Sequence, residues 1–178
     1  MLPIFRRPWE FNPTQVFLTV ASLLGFWLSA SVILDGVVIP CLYVNGMMMQ
    51  SGFAAAAYSL FEVFNHLEIV LGAVVLALLL GLGKTLATVH PKQSQMVGLA
   101  VGLFAIALAY TYWLTPDLSA WGLVMEGSLS DRAGMPESML IVQVLYWCLE
   151  VVKFAGGTWL LNQCLNAGLD SIQPLQNQ

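Results

Sequence analysis

Asp35, Glu62, Glu68, Glu150 and Lys153 lie in stretches that are otherwise apolar enough to cross a membrane, and His66 joins them. A charge at the centre of a bilayer costs about 2.5–3.5 kcal/mol on insertion scales, so such groups face a bundle interior and often mark function. Carboxylates, an imidazole and an ammonium strung along one path are the parts of a proton or ion relay. The same groups also make a plain structural pair, with Lys153 neutralising Glu150 or Glu68 and setting helix register. A carboxyl that simply carries a proton is a second structural reading. Contact with a partner subunit or a cofactor is a third use.

Helical spacing groups these residues. On the second apolar stretch Glu62, Asn65, His66 and Ile69 follow i, i+3, i+4, i+7 and share a face, with Glu68 about 120° from its centre. On the fourth, Gln143, Trp147, Glu150, Phe154 and Gly157 form a stripe, with Lys153 at i+3 from Glu150. Gly156 and Gly157 let another backbone come close. Depth along the stretches predicts a midplane set (Glu68, Glu150, Lys153) and an outer set (Asp35, Glu62, His66). Stretches two and four are then expected to be neighbours.

Soft and nitrogen ligands offer further chemistry. His66 is a candidate ligand for haem or a chlorin pigment. Bis-histidine ligation would need a second His at the same depth, and His90 falls in a loop, so methionine or a second copy would have to supply it. A core His bonded to a carboxylate is the structural alternative. Cys41 with Met47, Met48 and Met49 is a sulfur-rich stretch suited to Cu(I), or flexible apolar packing. The three cysteines Cys41, Cys148 and Cys164 include no CxxC, and no disulfide framework is implied. Gly81 to Lys84 lacks the first glycine of a phosphate loop, and neither GxSxG nor HExxH occurs.

The elements that must position these groups follow from composition. The 178 residues are 58% hydrophobic and 9% charged, with a mean hydropathy of +0.79; a soluble domain carries about 25% charged residues. This predicts an all-α integral membrane four-helix bundle, one domain over 1–178, with helices near 13–43, 54–83, 96–114 and 139–165. Asn12 and Pro13 form a helix start. Pro40 is expected to kink or stop the first helix, and Pro116 to close the third. Residues 115–138 then form the longest extramembrane loop. Asn45-Gly46 and Ser51-Gly52 are turn pairs. The first apolar run is longer than a signal-peptide core, so a retained helix is expected.

Arg6, Arg7, Lys84 and Lys92 fall on one side of such a bundle and Arg132 on the other, which predicts both termini in the cytoplasm. Trp9, Tyr43, Trp113 and Trp121 are placed as an interfacial aromatic belt. Only six Lys and Arg occur and they form no patch, so nucleic acid is not an expected partner. The expected partners are the lipid bilayer and other membrane subunits or further copies of this chain.

Gly25 and Trp27, the Val-Ile-Pro step at Val38 to Pro40, the Ala-rich start of the second helix with Leu60-Phe61, and Trp159-Leu160-Leu161-Asn162 resemble the DUF4149 or TMEM205-like family of small four-helix membrane proteins. That family's basic residues in the first loop are absent here, as is a His near Gly156. The resemblance implies a four-helix bundle and supplies no reaction. With no nucleophile–base pair visible, a non-enzymatic role is expected. The first reading is association, as an accessory or assembly subunit of a larger membrane complex. The alternatives are an oligomeric small transporter or ion-conducting protein, and a membrane cofactor protein. Short loops fit a bacterial inner membrane or a thylakoid. No cofactor is identified.

Overall fold

A computed structural model describes residues 12–47, 50, 52–82, 93–127 and 137–170. Every regular element among them is helical. Four helical rods, Pro13–Val44, Phe53–Gly81, Gln93–Gly122 and Met139–Leu169, are long and apolar enough to cross a membrane. At 1.5 Å per residue their 29–32 residues reach about 43–48 Å, beyond the ~30 Å of a hydrocarbon core. They are the four spans of an integral membrane protein.

The first span starts as its sequence dictates. The Asn12 side chain accepts from the Thr14 N–H at 3.1 Å, and Pro13 occupies the first turn. An α-helix runs over Pro13–Ile33, a π-helical turn over Leu34–Val38, and a short α-helix over Ile39–Val44. Gly46 and Gly52 then adopt φ of 68° and 84°, a region that suits glycine, and Gly52 caps the second span.

Pro40 does not stop the first span, which runs to Val44 against the expected 43 with a π-turn just before the proline, but Pro116, contrary to expectation, does not close the third. The third span is α-helical over Gln93–Ala109, π-helical over Tyr110–Leu114, and α-helical again over Thr115–Gly127. Residues 115–127, expected in a loop, therefore continue the rod. In both spans the π-turn ends two residues before the proline. Proline has no N–H to donate, and its ring crowds the carbonyl four residues back. Widening one turn to i→i+5 pairing relieves that clash, as the bonds Ile39 N–H to Leu34 O and Thr115 N–H to Tyr110 O record. The last helix, Glu137–Asp170, extends past the expected 139–165 at both ends.

The spans form a four-cornered bundle. Span one packs on spans two and four, and span three packs on the same two. Spans two and four face each other across the diagonal. This corrects the expectation that they are neighbours: Glu68 and Lys153 meet through the bundle centre, not across a shared helix face. Small residues set the close approaches. A Cβ on Gly157 would stand 2.8 Å from Leu28 of span one, and one on Gly72 would stand 3.1 Å from Phe104 and 3.4 Å from Trp27.

The interior is divided lengthwise. The half nearer residue 13 is filled by apolar side chains, among them Phe17, Leu24, Val75, Leu79, Leu103 and Leu160. The half nearer the 45–52 turn carries Tyr110, Leu114 and Tyr146 packed with Phe61 and Leu145. Between these layers lie the buried polar groups Ser31, Glu68, Glu150 and Lys153, while Asn65 and Thr115 are buried beside the second layer. Tyr43 and Trp113 are exposed and Trp121 is half-buried, in keeping with an outer aromatic belt, while Trp9 lies outside the described residues.

Candidate functional site

Lys153 organises the centre. Its Nζ lies 2.8 Å from Glu68 Oε1 and 2.6 Å from Glu150 Oε1, and all three side chains are at most 3% exposed. Glu150 is one turn before Lys153 on the same helix, so that contact is local. Glu68 comes from the opposite corner. Its Oε1 also accepts from Trp27 Nε1 at 2.8 Å and from Ser31 Oγ at 3.1 Å. Spans one, two and four are thus tied through one carboxylate oxygen. Span three contributes Tyr110, whose ring centroid is 5.2 Å from the ammonium, within cation–π range.

A second polar tier stands toward the 45–52 turn. The Tyr146 hydroxyl donates to Asp35 Oδ1 at 3.2 Å, and the Tyr110 and Tyr146 ring centroids are 5.0 Å apart. Asp35 sits inside the first π-turn and Tyr110 opens the second. Asn65 Nδ2 donates to Thr115 Oγ1 at 2.7 Å, holding span two to span three just past the second π-turn. Single-turn π-bulges occur often at functional sites, and here each brings a side chain, Asp35 or Tyr110, against Tyr146.

The charges do not balance. Glu68 and Glu150 flank one ammonium and Asp35 stands in the adjoining tier, so three carboxylates share one cation among the described residues, a formal excess of two negative charges. Asp35 Oδ2, Glu68 Oε2 and Glu150 Oε2 are buried, and each lacks a hydrogen-bond partner among the described residues. An uncompensated ion in a dry interior costs several kcal/mol. A proton or a small cation is the natural remedy, and either is exchangeable.

The midplane set expected from the sequence comes together as a unit. The outer set divides. Asp35 joins the inner polar groups through Tyr146, but Glu62 and His66 are exposed and line a groove of about 290 Å³ between spans two and three with Tyr58, Thr111, Tyr112, Thr115 and Pro116. The expected common face of Glu62, Asn65, His66 and Ile69 is therefore corrected. Asn65 and Glu68 point inward with Leu71, Gly72, Val75 and Leu79, because the bundle axis falls between the two faces drawn from spacing. The expected stripe on span four also rotates. Tyr146, Glu150, Lys153, Gly157 and Leu160 are buried, whereas Trp147 is 48% exposed and Gln143 only half-buried.

His66 is not a core residue, and its Nδ1 is 2.7 Å from the Glu62 backbone carbonyl, not beside a carboxylate. Cys41 is exposed and Met47 half-buried, while Met48, Met49 and His90 lie outside the described residues. Trp27, Ser31, Tyr110, Thr115 and Tyr146 join the site without having been expected there. Trp27, Ser31 and Asp35 do fall at i, i+4, i+8, as do Tyr146, Glu150, Lys153 and Gly157 at i, i+4, i+7, i+11, which is the signal that marks one inward face. No family model, curated protein or solved structure matches the chain, so the family resemblance rests on its short motifs alone.

Proposed function

We propose that this chain is a small non-enzymatic transporter or ion-conducting protein that exchanges a proton or small cation at the Glu68–Lys153–Glu150 centre. The observation that carries the reading is the surplus of carboxylate: Asp35, Glu68 and Glu150 each keep one buried oxygen without a hydrogen bond among the described residues, and Lys153 is the one ammonium beside Glu68 and Glu150 there. Glu68 Oε1 takes three donors, whereas Glu150 Oε1 takes Lys153, so Glu150 is the carboxyl assigned to exchange. The tyrosine and Asp35 tier gives a polar route toward the 45–52 turn, and the apolar half closes the other end. Passage requires that apolar half to open, and the two π-turns are the deformable points of otherwise rigid rods.

Association as an accessory subunit draws less support, because Glu68, Glu150 and Lys153 lie inside one chain's bundle and not on a face that a partner would cover. Four spans rarely enclose a complete pathway alone, so a homo-oligomer in the bilayer is the working form. A bacterial inner membrane or a thylakoid, with both termini cytoplasmic, agrees with the basic residues flanking the spans.

The test is flux into proteoliposomes carrying a trapped pH-sensitive dye. Wild-type protein is expected to collapse an imposed pH gradient, or a Na⁺ or K⁺ gradient, severalfold faster than protein-free vesicles, and Glu150→Gln is expected to remove that excess. Flux equal to protein-free vesicles for all three ions overturns the reading.

A further inference from the structure

We propose that the groove between spans two and three binds an organic ammonium group, at a site separate from the central cluster. The groove is lined by Tyr58, Glu62, His66, Thr111, Tyr112, Thr115 and Pro116 and has a volume of about 290 Å³. Its acceptors include the Glu62 carboxylate and the Thr111 hydroxyl oxygen. The His66 Nδ1 lies 2.7 Å from the Glu62 backbone carbonyl, which can only accept, so that nitrogen carries a proton and is already engaged. Thr111 spends its hydroxyl proton on the Ala107 carbonyl at 2.9 Å and leaves its lone pairs outward. Pro116 offers no N–H to the preceding turn, so one carbonyl of that turn must accept from elsewhere.

Charge points the same way. Glu62 lies nine residues into a rod that overhangs the hydrocarbon core by about 7 Å at each end, so it stands roughly 7 Å inside the core when the rod is centred. Its carboxylate has no ion pair or hydrogen bond among the described residues. The lining holds no Lys or Arg, so an anion is repelled and a neutral hydroxyl leaves Glu62 uncompensated. A metal ion finds too few ligands: no group of three or more His, Cys, Asp or Glu exists among the described residues. An ammonium supplies several N–H donors and one positive charge, and the phenol rings of Tyr58 and Tyr112 suit a cation.

The experiment is calorimetric titration of the full chain in phosphatidylcholine nanodiscs, with empty nanodiscs subtracted. Octylammonium is the probe; octanol and octanoate are the neutral and anionic controls, and methylammonium tests whether the cation can arrive from water. Saturable octylammonium binding near one per chain is expected, at least tenfold tighter than octanol. Glu62→Gln is expected to weaken it at least tenfold and His66→Gln severalfold, with thermal unfolding confirming that both variants fold. Comparable methylammonium affinity identifies an aqueous source, and a much weaker one identifies a membrane-dissolved amine; both keep the ammonium site. Equal binding of octanol, or undiminished binding to folded Glu62→Gln, overturns it.

Discussion

Removing Lys153 should damage the fold more than removing Glu68, and the difference can be worked from the contacts. Lys153→Met takes away the cation that lies within 2.8 Å of both Glu68 and Glu150 and leaves two carboxylates facing each other in a dry centre. Breaking a buried pair in this way costs about 3–5 kcal/mol. Glu68→Gln is milder: Lys153 keeps Glu150 at 2.6 Å, and the amide oxygen still accepts from Trp27 and Ser31. The loss is then one charge-assisted bond, about 1.5–3 kcal/mol. Combining Lys153→Met with Glu68→Gln and Glu150→Gln removes every ion of the triad and should recover most of the Lys153→Met loss. An ordinary interhelical hydrogen bond in a membrane contributes only about 0.6 kcal/mol, so a loss above ~3 kcal/mol is a signature of the ion pair. The assay is reversible unfolding in bicelles, comparing wild type, the two single variants and the triple variant. If Lys153→Met lies within ~0.5 kcal/mol of wild type, the triad contributes nothing to stability and the argument fails.

Three further outcomes are expected. Trp27→Phe removes one donor to Glu68 at 2.8 Å and should cost about 1–3 kcal/mol in the same unfolding assay, while circular dichroism stays unchanged. Gly157→Val forces a methyl group into the Leu28 side chain, 2.8 Å from an added Cβ, and should cost about 1–3 kcal/mol; pairing it with Leu28→Ala should recover part of that. Pro116→Ala restores an N–H two residues past the π-turn and should let the third rod revert to α pairing. It is expected to raise thermal stability and slow the gradient collapse, and a variant that is both less stable and fully active contradicts the hinge role.

Much of this protein is legible in its sequence, because a bilayer imposes simple rules. Runs of about 20 apolar residues become helices, since lipid satisfies no backbone hydrogen bond. The Asn12–Pro13 start and the glycine turns at Gly46 and Gly52 are local chemistry and can be read directly. That Glu68, Glu150 and Lys153 belong together follows from depth, because three charges near the middle of their spans can only be stable near one another.

Which way each rod turns is beyond the sequence. In a soluble helix a polar outer face opposes an apolar inner one, whereas here lipid and core are equally apolar and periodicity loses its contrast. Spacing alone therefore puts Glu62 and His66 on the face of Asn65, and Trp147 in the place that Tyr146 takes. The diagonal arrangement of spans two and four, the continuation of the third rod past Pro116, and the recruitment of Trp27, Ser31, Tyr110 and Tyr146 are decided by tertiary packing. Depth is a property of position along one chain, and rotation about a helix axis is settled only by its neighbours.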